Sequence, residues 1–287
     1  MTLHNFLTVS DHNRDVSGMK YIYPVISRRA GGVSIGINLN VNNACNWRCV
    51  YCQVPNLSRG TPPAIELDVL EQELRSFLSY VLHGGFMERY VAEPDRHLKD
   101  IAFSGNGEPT SAKEFPQVVQ LVDRVLHDFG LLGSNQPDSI KVRLITNGSL
   151  MDKKTILDSI RQLAKCNGEV WFKLDAGTKE GIARINDVNL NPQSHIERLK
   201  SCAAVCPTFV QTCMFGLDGQ PPSEADVAAY IALVSQVKNE IQGVHLYGLA
   251  RPSLQAEADR LSRLSPAWLE GVAQRIREHG ITVYVSP

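Results

Sequence analysis

The sequence holds 287 residues, 43% of them hydrophobic, and its formal net charge is −1. This length and composition suffice for one large core, and the near-neutral charge argues against a strongly electrostatic nucleic-acid binder. No charged-then-apolar leader and no apolar run of membrane-spanning length stands out, so a cytoplasmic location without membrane association is expected. Seven cysteines in such a chain favour reduced thiols and metal ligation over disulfides.

The predicted elements begin after a polar N-terminal extension and lead-in segment, residues 1–32. A strand over 35–40 leads into a loop with three cysteines, and a helix follows over 67–81, where apolar residues recur at helical spacing. Residues 83–99 are rich in glycine, proline and charge and lead to the next strand, and residues 176–189 are predicted as a loop. The later strands are predicted at 101–104, 142–146, 170–175, 210–215, 244–249 and 281–285. Later helices are predicted near 118–129 and near 153–166. Three more are predicted to begin at the N-caps Asn191, Ser223 and Ser265, and Gly280 ends the last of them.

The alternation of strands and helices predicts the fold class. Strands recur at spacings of roughly forty residues with a helix after each, which favours right-handed crossovers and a parallel sheet. Such a sheet curls into a barrel or a partial barrel with helices outside. Residues 33–287 are therefore predicted to form a single α/β domain.

The segment Ala44-Cys45-Asn46-Trp47-Arg48-Cys49-Val50-Tyr51-Cys52 is the most informative in the chain. Its C-x3-C-x2-C spacing brings three thiols together, whereas zinc held by protein alone normally takes four ligands in two separated pairs. Iron–sulfur clusters are held by thiolates at close spacings, and three thiolates leave one iron of a cubane open to a small molecule. A zinc site or loose core thiols remain the alternatives at this point.

This segment resembles the signature of the radical S-adenosylmethionine (radical SAM) superfamily, with Tyr51 as the aromatic residue before the last cysteine. The resemblance implies a partial (β/α)6 barrel in which Cys45, Cys49 and Cys52 bind one [4Fe-4S] cluster. It also implies that S-adenosylmethionine binds the open iron and is reduced to methionine and a 5′-deoxyadenosyl radical, which abstracts hydrogen from a substrate. A reduced flavodoxin or ferredoxin is the electron donor to expect, because this cleavage needs a low potential.

A second motif, Gly105-Asn106-Gly107-Glu108-Pro109, follows the predicted strand 101–104. Glycines at a strand end let the backbone approach a ligand closely. The motif resembles the superfamily's Gly-Gly-Glu-Pro turn, which holds the amino group of S-adenosylmethionine, with Asn106 in place of the first glycine. The resemblance further assigns Asn147 and Asp175 to the ribose or methionine portion and Tyr51 to the adenine. Without it, Asn147 and Asp175 are equally typical of loop caps.

Alternation along the strands predicts a polar barrel interior. Outward strand residues pack on helices and are apolar, so polar residues in alternation with them face inward. On this basis the inward residues include Asn38, Asn40, Ser104, Trp171, Lys173, Asp175, His245, Tyr247 and Arg251. A polar lumen indicates a substrate pocket shaped by Lys173, His245, Tyr247 and Arg251, and an internal Lys173–Asp175 ion pair is the alternative. Gln211 and Cys213 share one strand face, and a lumenal Cys213 would be able to give hydrogen to a product radical.

The lead-in Ser27-Arg28-Arg29 resembles that of small iron–sulfur oxidoreductases related to wyosine-forming tRNA enzymes. Arg28 and Arg29 are predicted either to form surface ion pairs, to anchor an anionic substrate or to dock an acidic electron donor. In the wyosine-type branch a barrel lysine forms a Schiff base with a carbonyl substrate, a role that Lys173 would match. That branch also carries additional N-terminal cysteines, and residues 1–44 contain none.

The sequence therefore predicts a radical SAM enzyme of the iron–sulfur oxidoreductase type. Its substrate, whether a small molecule, tRNA or a peptide, is not identified by these patterns. Alternatives are wyosine-type tRNA modification, activation of a glycyl-radical or peptide substrate, and a non-catalytic iron–sulfur or zinc sensor. Cys166, Cys202, Cys206 and Cys213 are predicted as ordinary buried thiols, with a second cluster as the alternative.

Overall fold

The computed structural model describes residues 7–8, 18–27, 29–132 and 140–287. Most of the predicted N-terminal extension, and Arg28 of the lead-in segment, lie outside these ranges. No helix within them is long and apolar enough to cross a lipid bilayer.

A curled and mostly parallel sheet forms the centre of the fold. The strands are β1 (Ile22–Ser27), β2 (Gly32–Ile37), β3 (Ala44–Cys45), β4 (Ser58–Arg59), β5 (Leu98–Phe103), β6 (Lys141–Thr146), β7 (Gly168–Lys173), β8 (Thr208–Cys213), β9 (Gly216–Leu217), β10 (Gly243–Tyr247), β11 (Leu261–Ser262) and β12 (Val283–Ser286). The main sheet has the order β1-β2-β5-β6-β7-β8-β10-β12. Strand β1 is antiparallel to β2, and the later neighbours are parallel.

Helices cover the outer face of this sheet. They are α1 (Leu67–His83), α2 (Phe86–Tyr90), α3 (Phe115–Asp128), α4 (Lys154–Lys165), α5 (Lys179–Asn186), α6 (Pro192–Ala203), α7 (Glu224–Val234) and α8 (Pro266–Arg277). The predicted caps are confirmed, because the side chains of Asn191, Ser223 and Ser265 each accept a hydrogen bond from a first-turn N–H group. In the described chain, seven parallel strands joined by six helical connections form a half-barrel, so the predicted partial TIM barrel is confirmed.

The two faces of the strands divide as the alternation predicts. Ile35, Phe172 and Val244 belong to the buried apolar core beneath the helices. On the opposite face of β7 and β10, the Trp171 ring lies 4.7 Å from the His245 ring. Inward-facing side chains of β7 and β10 therefore contact each other inside the half-barrel.

The structure differs locally from the sequence predictions. The lead-in residues Ile22–Ser27 form β1, whose position at the sheet edge tolerates Pro24. The predicted loop 176–189 contains α5, and the segment 83–99, for which no helix was predicted, contains α2; both helices are too short to show an apolar period. Strand β7 ends at Lys173 rather than Asp175, because residues at the carboxyl end of a barrel strand turn toward the active site.

Candidate active site

The cysteine loop is held by parts of the chain far away in sequence. Strand β3 in this loop pairs with β4. The Val50 N–H donates to the Ile185 carbonyl over 2.9 Å, which ties the loop to α5. The Ser253 hydroxyl donates to the Val50 carbonyl over 2.7 Å. Backbone contacts on both sides therefore fix the direction in which the three cysteines point.

All three cysteines of the loop line one cavity of about 150 Å³. Tyr51, Lys173 and the Gly105–Glu108 turn line the same cavity, as do Thr146 and Asn147. Within the described part of the chain, no three His, Cys, Asp or Glu side chains converge on a point that a single metal ion would occupy. In a cubane each thiolate binds a different iron, so thiols around a shared cavity are the arrangement that such a cluster requires.

The thiols of this loop lie in a poorly solvated environment. Burial raises the pKa of the Cys45 thiol to about 11 and that of the Cys49 thiol to about 12. Because thiolate is the form that binds a metal, assembly of a cluster here would release these protons.

The turn after β5 packs tightly on the cysteine loop. A Cβ at Gly107 would lie 2.1 Å from the Ala44 carbonyl oxygen, and one at Gly105 would lie 2.3 Å from Asn38 Oδ1. Both positions therefore require glycine because of close approach. Pro109 begins a short 3-10 turn and is buried beneath this segment.

Asn106 lines the cysteine cavity and carries a buried acceptor that is unpaired in the described part of the chain. Its backbone N–H donates to Asn38 Oδ1 over 3.0 Å, and its Nδ2 donates to Asn43 Oδ1 over 2.5 Å. Its Oδ1 is buried and has no hydrogen-bond partner among the described residues. Its φ is not among the positive values of the described chain, so asparagine replaces glycine without left-handed strain. Asn106 as a residue therefore lines the cysteine cavity, and its Oδ1 is left beneath the surface of the turn as an acceptor that no described residue pairs with.

Glu108 connects the turn to the end of β6. Its carboxylate accepts from the Thr110 N–H and hydroxyl, from the Thr146 hydroxyl over 2.7 Å and from the Asn147 N–H over 2.6 Å. Burial raises its pKa. The side chain predicted to bind a cofactor is thus occupied by protein donors, and it positions Asn147 beside the cavity.

Asn147 belongs to the cavity wall and is itself held at both ends. Its Nδ2 donates to Asn46 Oδ1 over 2.8 Å, and its Oδ1 accepts from the Ser149 N–H over 3.0 Å. Asn46 lies next to Cys45, so this amide pair links the end of β6 to the cysteine loop. The predicted contact of Asn147 with S-adenosylmethionine stays a prediction.

Asp175 is the centre of a buried network. It accepts from the Tyr51 hydroxyl over 2.5 Å, from Asn186 Nδ2 over 2.8 Å and from the Cys213 N–H over 2.9 Å. Lys173 Nζ lies 3.9 Å from it. The ion pair considered in the sequence is present, and the predicted nucleoside contact of Asp175 stays a prediction because its oxygens already accept protein hydrogen bonds.

Asn186 is a residue that the sequence analysis missed. Its Nδ2 lies 3.3 Å from Cys49 Sγ, in addition to its bond to Asp175, and the residue is 1% exposed. It ends α5, the helix that was predicted as a loop. The sequence signal for that helix was its N-cap residue, Thr178, whose side chain accepts from the Gly181 N–H.

A second cavity of about 260 Å³ adjoins the first and contains several predicted substrate residues. Tyr247, Arg251 and Cys213 line it, together with Arg29. Lys173 Nζ donates to the Tyr247 hydroxyl over 2.7 Å at the boundary between the two cavities. Burial by itself would lower the pKa of Lys173, but the charge of Asp175 and the Tyr247 hydroxyl raise it above its usual value. Burial raises the pKa of Cys213, which keeps it a thiol.

His245 lies elsewhere in the lumen. Its ring packs 4.7 Å from Trp171 and 4.9 Å from Phe209. Burial, together with the charge of Arg29, lowers its pKa to about 4, so it is neutral at neutral pH. Neither cavity described above includes it among its described lining residues. The observed contacts of His245 are therefore those of a ring packed in an aromatic stack.

The cysteines outside the loop and the lumen have local partners. Cys166 Sγ donates to Asp123 Oδ1 over 3.0 Å, Cys202 contacts the Thr208 hydroxyl, and Cys206 donates to the Gly168 carbonyl. These contacts are those of individually buried thiols.

Comparison with known proteins identifies the family. A sequence model of the radical SAM superfamily matches residues 39–231, more than half of the chain. The chain belongs to the radical SAM superfamily. This match includes the three cysteines, the Gly105 turn, Asn147 and Asp175.

Solved structures share the radical SAM fold. TYW1 with a lysine-pyruvate adduct bound is 16% identical with a TM-score of 0.56, covering 85% of this chain and 73% of that chain. A radical SAM methyltransferase from Sphaerobacter thermophilus is 15% identical with a TM-score of 0.58, covering 91% and 67%. Streptococcus suis SuiB bound to S-adenosylmethionine is 13% identical with a TM-score of 0.57, covering 90% and 51%.

One curated protein also matches in sequence. GTPase Obg of Brachyspira hyodysenteriae is 26% identical over 169 residues, which are 58% of this chain and 20% of that protein. The chain thus spans about a fifth of the length of this relative.

The residues present fit the cofactors that the radical SAM superfamily implies. Three cysteines line one cavity, and the Gly105–Glu108 turn, whose glycines allow close approach of the backbone, lines the same cavity. The donor set is sulfur on one side and amide or carbonyl oxygen on the other. Such a set suits an iron–sulfur cluster next to a molecule that carries an ammonium group.

Asn186 is expected to tune the reduction potential of a cluster at Cys49. Hydrogen bonds to ligating sulfurs stabilise the reduced, more negative state. Asn186→Leu is therefore expected to lower the midpoint potential by on the order of 50 mV, the equivalent of about one kcal/mol for one electron. Redox titration followed by electron paramagnetic resonance measures it.

The matched control is Thr212→Val, a buried side chain that bonds the Leu174 carbonyl and Tyr230. This variant should leave the potential unchanged. Equal potentials in Asn186→Leu and the unmodified protein would contradict the prediction.

Proposed function

We propose that the protein binds one [4Fe-4S] cluster through Cys45, Cys49 and Cys52 and cleaves S-adenosylmethionine reductively. Bound together, these cofactors supply a 5′-deoxyadenosyl radical that abstracts a hydrogen atom from a substrate. The observation that carries the proposal is the single cavity shared by the three thiols and the Gly105–Glu108 turn. Membership of the radical SAM superfamily supports it.

The protein residues supply binding and orientation. The Gly105–Glu108 turn binds the ammonium end of S-adenosylmethionine, and Glu108 keeps the turn and Asn147 in position. Asp175 accepts from the Tyr51 hydroxyl and so fixes this side chain of the cysteine loop. Tyr247, Cys213 and Arg251 surround the substrate in the adjoining cavity. A reduced flavodoxin or ferredoxin is the proposed electron donor, since the reaction requires a low potential.

Anaerobic reconstitution with iron and sulfide tests this function. We expect about four irons per chain, as for a cubane, and release of 5′-deoxyadenosine from S-adenosylmethionine after reduction by dithionite. A bound cluster without cleavage would instead identify an iron–sulfur sensor. Bound zinc with no cleavage would identify a zinc protein, and either result would overturn the proposal.

Covalent catalysis by Lys173 is a second candidate. The lysine lines the cysteine cavity, and one structure with the same fold is of TYW1 with a lysine-pyruvate adduct. The raised pKa of Lys173 opposes this role, because an amine must lose its proton to attack a carbonyl. Borohydride trapping with pyruvate and other carbonyl compounds tests it, and a stable adduct absent from Lys173→Arg would support it. No adduct on Lys173 would exclude the role for the compounds tried.

A further inference from the structure

The cavity beside the cysteine loop has a distinct electrostatic character. Arg29, from the connection between β1 and β2, and Arg251, from the segment after β10, both line it. Its described lining residues include no aspartate or glutamate. The charged groups among these described lining residues are therefore both guanidinium groups, which pair with anions.

The position of this cavity connects it to the proposed chemistry. It shares Tyr51, Cys52, Val54 and Gly105 with the cavity that the three cysteines line. A molecule in the second cavity would therefore lie in contact with the cofactor side of the site.

Arg29 is preorganised. Its guanidinium carbon lies 4.4 Å from the centre of the Trp171 ring and 5.0 Å from that of Tyr247. Its Nη1 donates to Gln211 Oε1 over 3.0 Å, and Gln211 Nε2 donates to the Trp171 carbonyl over 3.0 Å. Two aromatic faces and a fixed amide hold the planar group in one orientation, which lowers the entropic cost of binding an anion.

The remaining walls indicate the size and shape of the ligand. Val54, Leu249 and Ala250 add an apolar surface between the two arginines. A volume of about 260 Å³ lies below the ~300–1,000 Å³ common for drug-sized ligands. It therefore favours a small organic acid over an entering segment of RNA or peptide. Arginine is well matched to carboxylate because its planar fork makes two parallel hydrogen bonds.

We propose that the cavity between Arg29 and Arg251 binds a small organic carboxylate, which is the substrate class of this enzyme. Its assignment as substrate rests on the proposed function, whereas the binding of a carboxylate is independent of it. The carboxylate is held by the two guanidinium groups, and the carbon skeleton lies along Tyr247 and Leu249 toward the cysteine loop. The lead-in segment thereby contributes a specificity residue to the barrel.

Ligand-observed saturation-transfer NMR on the anaerobically reconstituted protein tests the binding. The probes are unbranched and aromatic carboxylic acids of three to seven carbons, their matched primary amides, and methyl phosphate. We expect at least one acid to bind and its amide not to bind. Binding of methyl phosphate without any acid would overturn the carboxylate assignment, and equal binding of acid and amide would overturn the role of charge.

Variants connect the binding to the two arginines. Arg29→Gln should weaken the acid at least tenfold, and Arg29→Lys should recover part of the loss because it retains charge without the fork. Arg251→Gln is the independent second variant if Arg29→Gln fails to retain iron and a normal melting temperature. Arg124→Gln, an exposed arginine paired with Glu71, is the matched control and should bind normally.

The outcome separates the two proposals. If the unmodified protein releases 5′-deoxyadenosine but binds no acid, this inference is overturned and the proposed function stands. The same conclusion follows if it releases 5′-deoxyadenosine and both arginine variants bind the acid with unchanged affinity. If instead carboxylate binding depends on both arginines but the protein does not cleave S-adenosylmethionine, the proposed function is overturned and the carboxylate site stands.

Discussion

Cys49→Ala is expected to remove the cluster and with it the cleavage of S-adenosylmethionine. The remaining two thiols of the loop cannot hold a cubane, so iron should fall from about four per chain to near zero. Cleavage should fall by more than about 100-fold, because changes outside the ligand set already cost 10–100-fold at metal sites. Iron analysis and quantification of 5′-deoxyadenosine measure both effects.

A matched control separates ligation from loss of a buried thiol. Cys206→Ala removes a buried sulfur that bonds the Gly168 carbonyl and lies away from the loop. It should cost about 1–2 kcal/mol of stability and leave the iron content unchanged. Full iron content in Cys49→Ala, or its loss in Cys206→Ala, would contradict the assignment of the cysteine loop.

Glu108→Ala is expected to destabilise the protein and weaken S-adenosylmethionine binding together. The substitution leaves the Thr110 and Asn147 N–H groups and the Thr146 hydroxyl buried without their acceptor. Each such group costs about 1–3 kcal/mol, so a loss on the order of 3–5 kcal/mol is expected. Binding should weaken because Asn147 and the Gly105 turn are no longer held together.

Thermal unfolding and equilibrium binding of S-adenosylmethionine to the reconstituted protein measure these effects. Glu108→Gln keeps the side-chain volume but places an N–H donor opposite other donors. Its stability and its affinity for S-adenosylmethionine should therefore lie between those of Glu108→Ala and the unmodified protein. Glu114→Ala, a partly exposed position at the start of α3, should change stability by less than about 0.5 kcal/mol. A stable Glu108→Ala protein with weakened binding would instead make Glu108 a direct ligand contact.

Local patterns were sufficient to predict much of this site. Cys45, Cys49 and Cys52 are close in sequence, so one loop brings them together whatever the remainder of the fold. Alternation along β7 and β10 is likewise local, because neighbouring side chains point to opposite faces. It correctly predicted that Lys173 and Tyr247 share the lumen. Strand ends were less predictable, since residues such as Asp175 continue the inward–outward alternation after the hydrogen-bonded ladder has ended.

The contacts that join distant segments were beyond these patterns. Asn186 reaches Cys49 only because α5 packs against the cysteine loop, and α5 is too short to show an apolar period. Arg29 enters the lumen because β1 forms an antiparallel edge, an arrangement that Pro24 obscured. Glu108 resembled a cofactor ligand until the structure revealed four protein donors around its carboxylate.

The sequence by itself determined the family, the half-barrel and the three thiols, because those features depend on short spacings and on the period of strands and helices. Only the tertiary structure decided which polar groups meet, because strand register and helix packing set distances between residues far apart in the chain. For that reason Arg29 and Arg251, which are far apart in the chain, line one cavity beside the cysteine loop only in the folded protein.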